Sequence, residues 1–393
     1  MTSSDLFSPS FKPDSAVIEN EPQCGDYETY TLARFIFLMF SSSIAAAGTF
    51  GNLLLVYIFL TRRYPNTPPT LYPTILAVLD TLMCTLYILL FGIDAAVVFL
   101  HVKSLFVLYH LYIVPAYVLS RITQMSIPYM LIFATLERFV WIVGSSHMVL
   151  RKAYSTRGRY ISLIATLLVC IGLRLPTAWA TKVYEFPNCP DFFRSQSASA
   201  AEWVQTDSGL ALVWHSLDFH LLSVIQTVVP FFVLVIFNVI IVRKLTTAKA
   251  NCTHEAICHY SPRGDVSPAE SEERLPTDAL VQKSSLRRQM STSLKNAIYT
   301  MVAIVTSYIF CNSLHLCLTI LERSDSNLLK HPTDPNLAST FHTTFSDLVS
   351  FIYMFTSAIR VLIYYKCNPA IRGDLRDMIA QLFGFDKKEI VMV

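Results

Sequence analysis

The chain has 393 residues, is 53% hydrophobic and 15% charged, and combines a mean hydropathy of +0.45 with a formal net charge of +3. That composition is too apolar for an ordinary water-soluble protein of this length, and a multi-span membrane protein is the reading it leaves. Nucleic acid is not expected as a partner.

Stretches of twenty or more mainly apolar residues are long enough to cross the ~30 Å hydrocarbon core as helices. They lie near 34–60, 72–100, 105–143, 160–183, 211–242, 294–321 and 341–365. The expected fold class is therefore an all-α membrane protein, a seven-transmembrane helix bundle. It divides into a tail over 1–33, the membrane domain over 34–365, and a final segment over 366–393. Basic connections stay in the cytosol. Arg62 and Arg63 follow span one, Arg151, Lys152, Arg157 and Arg159 follow span three, and Arg243, Lys244, Lys249, Arg287 and Arg288 follow span five. The other side holds Lys12, Lys103, Lys182, Arg194, Arg323 and Lys330. The N-terminus is thus expected outside and the C-terminus inside. Residues 1–31 lack a basic n-region followed by an apolar h-region, so span one is expected to act as an uncleaved anchor.

The same topology disposes of two decoys in the loop over 243–293. Asn251-Cys252-Thr253 fits a glycosylation pattern and Arg263-Gly264-Asp265 an adhesion tripeptide, but both fall on the cytosolic side. The tract "SPRGDVSPAESEE" reads as a largely disordered loop. "RRQMS" (287–291) reads either as a basophilic kinase site or as a solvated basic helix end.

A seven-span chain of this kind is open to receptor, transporter and light-sensor readings. "GNLLLVYIFL" in span one, "LAVLD" in span two, "LERF" in span three, Pro230 in span five and "LIYY" in span seven follow one another in the order and spacing of rhodopsin-like G-protein-coupled receptors. The chain resembles that family over nearly the whole membrane domain. The resemblance implies that Arg138 is the arginine that enters the G protein, with Glu137 its resting neighbour. It also implies that Asn52, Asp80 and Tyr364 belong to the polar network that rearranges on activation. A merely structural polar core is the alternative.

Departures from the pattern are informative. Arg360 and Val361 stand where relatives place asparagine and proline, four and three residues before the tyrosine. In relatives that asparagine helps surround a sodium ion held by the span-two aspartate. A guanidinium there suits Asp80 directly, so an Asp80 to Arg360 ion pair is expected in place of sodium. The other reading has Arg360 snorkelling to the interface. Ile113 stands where the family's outer cysteine would be, twenty-five residues before Arg138. A bridge between Cys24 and Cys189, the two cysteines on the outer side, is expected instead, with two free thiols as the alternative. Cys367, just past span seven, is a candidate for palmitoylation.

The resemblance places the ligand among the outer halves of the spans. The amine-binding aspartate would fall at Ser120, and the retinal lysine at Met354, so neither ligand class is expected. The outer surface, taken over 1–31, 180–211 and 322–342, carries thirteen acids against five basic residues, a field that draws cations. Asp94, Asp218 and Asp347 are the candidate partners for a basic ligand group, with Ser120, Arg121, Gln124 and His315 as further lining. His215 shares a helix face with Asp218. Cys311 and His315, four apart, are pocket or packing residues more readily than metal ligands, and neither a metal nor any other cofactor is expected. "VVPFFVLVIFNVIIVRKL" and "FCNSLHLCLTILE" look like invertebrate receptors for FMRFamide-like amidated neuropeptides, whose ligands commonly end in Arg-Phe-amide. That likeness implies a guanidinium meeting a carboxylate and a phenyl ring on Tyr or Phe.

Between Leu286 and Tyr308 there is no acid to restrain span six, and Asn238 replaces a tyrosine that stabilises the active state in relatives. After span seven, Ile371, Leu375, Ile379 and Leu382 are spaced for one face of an interfacial helix. The terminal "VMV" offers a weak match to PDZ-type recognition. No nucleophile elbow or phosphate loop points to an enzyme. The partners expected are a peptide ligand, a heterotrimeric G protein and membrane lipids, at the plasma membrane. The alternatives are an orphan chemosensory or decoy receptor with weak or no coupling, and a seven-helix carrier, although no internal repeat is visible.

Overall fold

The computed structural model describes residues 24–25, 30–61, 70–143, 152, 154–206, 209–258, 277–324, 327–329 and 339–383. Among them seven helices are long and apolar enough to cross a membrane. They are α1 (Leu32–Thr61), α2 (Leu71–Leu100), α3 (Lys103–Val143), α4 (Thr156–Ala180), α5 (Gly209–Arg243), α6 (Thr277–Arg323) and α7 (Thr340–Cys367). A shorter helix, α8 (Pro369–Phe383), follows. The chain is an all-α seven-helix membrane bundle.

Lipid offers no partner to a peptide group, so each spanning segment must close its own backbone hydrogen bonds. The hydroxyls follow the same rule: Ser42, Thr74, Thr81, Thr123, Ser126 and Thr135 each donate to the carbonyl four residues earlier. The outward faces are apolar. Leu60 is 71% exposed, and Leu111 and Phe310 are 78% exposed, which suits acyl chains and not water.

The helices pack in a ring, α1 on α2, α2 on α3, α3 on α4 and α5, α5 on α6, α6 on α7, and α7 back on α1 and α2. The long α3 runs through the centre. Leu55, Tyr72, Leu76, Met130, Leu131 and Ile304 form the main core at the α8 end. Leu86, Val97, Phe106 and Ile113 form a second cluster at the other.

Two glycines let α1 approach α7. A Cβ on Gly48 would stand 2.6 Å from the Ala358 Cβ, and one on Gly51 would stand 2.8 Å from Val361 Cγ1. The contact falls where α7 breaks. Its first segment ends at Ala358, Ile359 turns at φ −78° and ψ −9°, and a new helical segment starts at Arg360. The break occurs without the proline of the resembled family.

Among the described residues three π-helical segments widen the helices locally: Ile88–Gly92 in α2, and Ser216–Leu222 and Val224–Val228 in α5. Each is a place where backbone carbonyls are displaced from their usual donors. Tyrosines of α3 reach two of these segments: Tyr112 donates to the Leu89 carbonyl and Tyr129 to the Ile225 carbonyl, both at 2.9 Å. Pro230 lies two residues past the end of the last π segment. Its ring lacks an N–H and would crowd the carbonyl four residues back, which a wider turn accommodates.

Several boundaries differ from the sequence expectation. The fourth span was expected to reach residue 183, but the chain leaves helix at Ala180 and pairs Thr181–Glu185 (β1) with Gln196–Ala200 (β2) as an antiparallel hairpin. The loop over 243–293 is largely helical where it is described, because the α5 helix continues to Cys258 and α6 begins at Thr277. The glycosylation-like Asn251 sits on that helix, and Arg263-Gly264-Asp265 lies outside the described residues. In α8, Ile371 and Leu375 are buried against the main core, but Ala380 takes the next inward position and Ile379 is exposed. The Leu382 side chain lies outside the described residues, as does the terminal "VMV".

Candidate functional site

The centre of the bundle holds an ion pair. Nη1 of Arg360 on α7 lies 2.5 Å from both Oδ1 and Oδ2 of Asp80 on α2, and each residue is 1% exposed. Asn52 on α1 donates Nδ2 to the carbonyls of Gly48 and Ser357, both at 3.0 Å, which fixes α1 to the turn where α7 breaks. Tyr364 is buried one turn beyond Arg360, its ring edge-on to Phe59. The structure therefore brings Asn52, Asp80, Arg360 and Tyr364 into one zone, and the snorkelling alternative for Arg360 does not hold.

Toward the α8 end, Glu137 and Arg138 are both buried near the close of α3. Glu137 is paired with Arg159 of α4, whose Nε stands 2.8 Å from Oε1. Tyr72 and Ser162 share a hydrogen bond of 2.8 Å beside it. Outside the membrane-spanning helices, burial pushes the Tyr154 phenol up, with Tyr72 and Glu137 adding to the effect. Asn238 on α5 donates to the Thr306 hydroxyl of α6 at 3.0 Å.

At the opposite end a strap closes over the bundle. Cys24 and Cys189 form a disulfide with Cα atoms 5.1 Å apart. The Gly25 N–H donates to the Arg194 carbonyl, and Arg194 Nε donates to the Gly25 carbonyl, each at 2.9 Å. Phe192 and Phe193 carry the hairpin onto Phe106 of α3. Phe193 also meets His101, which takes the left-handed conformation (φ 53°) between α2 and α3. Aromatic packing thus joins this hairpin to α3 near a helix end that has no cysteine.

Beneath the strap lies a cavity of about 830 Å³, its open mouth included. Ser120, Arg121, Gln124 and His315 line it, as do Tyr117, Tyr353 and Glu322. Arg174 of α4 and Gln226 of α5 complete its polar wall. Arg174 is fully buried; it donates Nη1 to Asp218 Oδ1 at 2.7 Å and Nη2 to Gln226 Oε1. Arg121 approaches the same Asp218 oxygen only to 3.9 Å.

The three carboxylates expected to greet a basic ligand do not line this cavity. Asp94 accepts from the Tyr30 hydroxyl at 2.5 Å, Asp347 accepts from Arg34 Nε at 2.6 Å, and Asp218 holds Arg174. Their partners come from the chain itself. The His215 side chain lies outside the described residues, and no cluster of three metal-binding side chains occurs among them.

Sequence reasoning passed over Arg34, Arg174, Gln226 and Glu322 as site residues and counted Arg159 only as a basic residue of the connection after span three. For Arg174 and Gln226 the signal was available: one is the single charge and the other the single amide in a mainly apolar run, "CIGLRLPTAW" and "VIQTVVPFF". Such residues inside a membrane segment mark functional or paired sites.

Seven apolar helices around a buried ionic core define the chain as a multi-pass membrane protein with one disulfide among its described residues. No protein-family profile matches it, and no curated protein sequence does either.

Proposed function

We propose that the chain is a rhodopsin-like G-protein-coupled receptor of the plasma membrane, with its N-terminus outside and its C-terminus in the cytosol. One observation carries the reading. A polar-walled cavity under the strap, the Asn52, Asp80, Arg360 and Tyr364 zone, and the buried Glu137 and Arg138 succeed one another along the bundle. An occupant of the cavity touches α3, α5, α6 and α7 at once, and can shift the bundle between states by its differential affinity for them. The polar zone then links those helices to Arg138 at the G-protein face. The chain acts as a receptor and not as an enzyme.

An amidated neuropeptide of the FMRFamide-like type is the proposed ligand class by resemblance. Glu322 is the cavity-lining carboxylate that its guanidinium would meet, and Tyr117 and Tyr353 offer rings for its phenyl group. A second reading is a receptor that binds without coupling. It is favoured by the ion pair riveting α2 to α7 and by Glu137 being tied to Arg159.

The test is G-protein nucleotide exchange in cells expressing the full chain, screened against amidated peptides with and without a C-terminal Arg-Phe. A dose-dependent response that Arg138→Ala abolishes is the expected result. Silence despite surface expression, with direct peptide binding retained, would transfer support to the uncoupled receptor.

A further inference from the structure

We propose that the cavity is a carboxylate site, in which Arg121 and Arg174 receive the acid group of a ligand whose apolar or aromatic body rests on Phe91, Tyr117 and Tyr353. The inference rests on the reading of this cavity as the ligand site, and it replaces the amidated C-terminus, which resemblance alone supplies, with a free acid.

Two guanidinium groups meet here over one carboxylate. Asp218 Oδ1 is 2.7 Å from Arg174 Nη1 and 3.9 Å from Arg121 Nη2, the latter too long for a hydrogen bond. Arg174 is fully buried, with Nη1 on Asp218 and Nη2 on Gln226, and its Nε has no hydrogen-bond partner within the protein. Arg121 is 9% exposed and lines the cavity together with Arg174. An ion held inside a membrane bundle is costly unless it is paired and hydrogen-bonded. Asp218 holds Arg174 directly, while Arg121 makes no close contact with a carboxylate and feels Asp218 and Glu322 only at longer range.

Glu322, the other carboxylate on the cavity wall, lies at the last turn of α6, where His342 Nε2 stands 3.6 Å from its Oε1. It faces a basic neighbour of its own. A guanidinium presents planar paired donors that match the two oxygens of a carboxylate. The ligand feature that completes this wall is therefore an acid, with the apolar lining of α2, α3 and α7 left for its hydrocarbon part.

The experiment uses the purified full chain in nanodiscs. Equilibrium binding and thermal unfolding are measured with N-acetylphenylalanine against its amide, and with the Arg-Phe dipeptide as free acid against the same dipeptide amidated. The expected result is at least tenfold tighter binding of the acid in each pair. Arg121→Gln should erase the preference and Arg121→Lys should keep part of it, both with wild-type unfolding profiles. Equal binding, a preference for the amides, or no binding of any probe at millimolar concentration would overturn the proposal. If Arg121→Gln does not fold, the acid-to-amide ratio of the wild-type chain decides alone. Nucleotide exchange by a G protein, measured on the same samples, separates the two readings. Acid preference without exchange keeps the carboxylate site and sinks the coupled receptor. Exchange driven equally by acid and amide does the reverse.

Discussion

A single nitrogen of Arg360, Nη1, stands 2.5 Å from both carboxylate oxygens of Asp80, so one guanidinium ties α7 to α2 in the middle of the membrane domain. Removing one member of such a buried pair strands the other, at a cost of about 3–5 kcal/mol. Asp80→Asn and Arg360→Gln should each lower the unfolding temperature of the purified chain sharply. The double variant should lose far less than the sum, because neither charge is left alone. The exchange variant, Asp80→Arg with Arg360→Asp, should be more stable than either of its single changes. Replacing sodium by potassium should leave unfolding and ligand affinity unchanged, since the cation beside Asp80 is built into α7. Additive losses in the cycle, or a marked sodium dependence, would refute the pairing.

The glycines of α1 give a second test. Gly48→Ala places a methyl 2.6 Å from the Ala358 Cβ and 3.0 Å from Cys84 Sγ, and neither backbone has room to yield without moving α1 away from α7. Overpacking of this kind costs about 1–3 kcal/mol. The added Ala358→Gly change removes the facing methyl and should restore part of the loss. Gly172→Ala, where no atom stands within 4 Å of the new methyl, should be neutral or slightly stabilising and serves as the control. Thermal unfolding of the four chains in one detergent decides the matter.

The strap predicts a particular pattern of non-additivity. Cys24→Ser, Cys189→Ser and the double variant remove the same bond, so all three should show the same loss of stability and the same fall in ligand affinity. A native disulfide is typically worth about 2–4 kcal/mol. Part of the tether should persist, because Gly25 and Arg194 keep their two mutual hydrogen bonds. Arg194→Ala added to Cys24→Ser should therefore deepen the effect. Thiol labelling before and after reduction checks that the bond is present in the starting protein.

What was legible in the sequence follows from how each feature is encoded. The seven spans are carried by long, mainly apolar runs, so their existence is readable, while their ends are not. The fourth was expected to reach residue 183 because "AWATKVY" contains little to stop a hydropathy window, but Thr181–Glu185 is a strand paired with Gln196–Ala200. The Asp80 and Arg360 pair was legible because each is an ion set deep in an apolar stretch, at positions that face each other in the resembled family. Asp218 shows the limit. A sequence reveals the acid but not the arginine 44 positions earlier that already occupies it. The same holds for Asp347, held by Arg34 from the far end of the membrane domain. Long-range partners decide whether a charged residue faces a ligand or its own chain, and no local pattern carries that information.

The pairing of Glu137 yields the last prediction, which rests on the proposed coupling role of Arg138. Glu137 Oε1 is 2.8 Å from Arg159 Nε, and the adjacent Arg138 is buried with Nε and Nη1 lacking hydrogen-bond partners within the protein. Two cations thus compete for one carboxylate. Arg159→Met withdraws the α4 competitor, so Glu137 is left to Arg138 and should hold it in the resting position. Basal nucleotide exchange should then fall, and by linkage a bias of about 1 kcal/mol changes it about fivefold. The loss of stability should be smaller than the usual cost of breaking a buried pair, because Arg138 inherits the contact. Glu137→Gln frees both arginines and should raise basal exchange by a similar factor. Exchange that moves in the same direction in both variants would show that Glu137 acts only to hold α3 against α4.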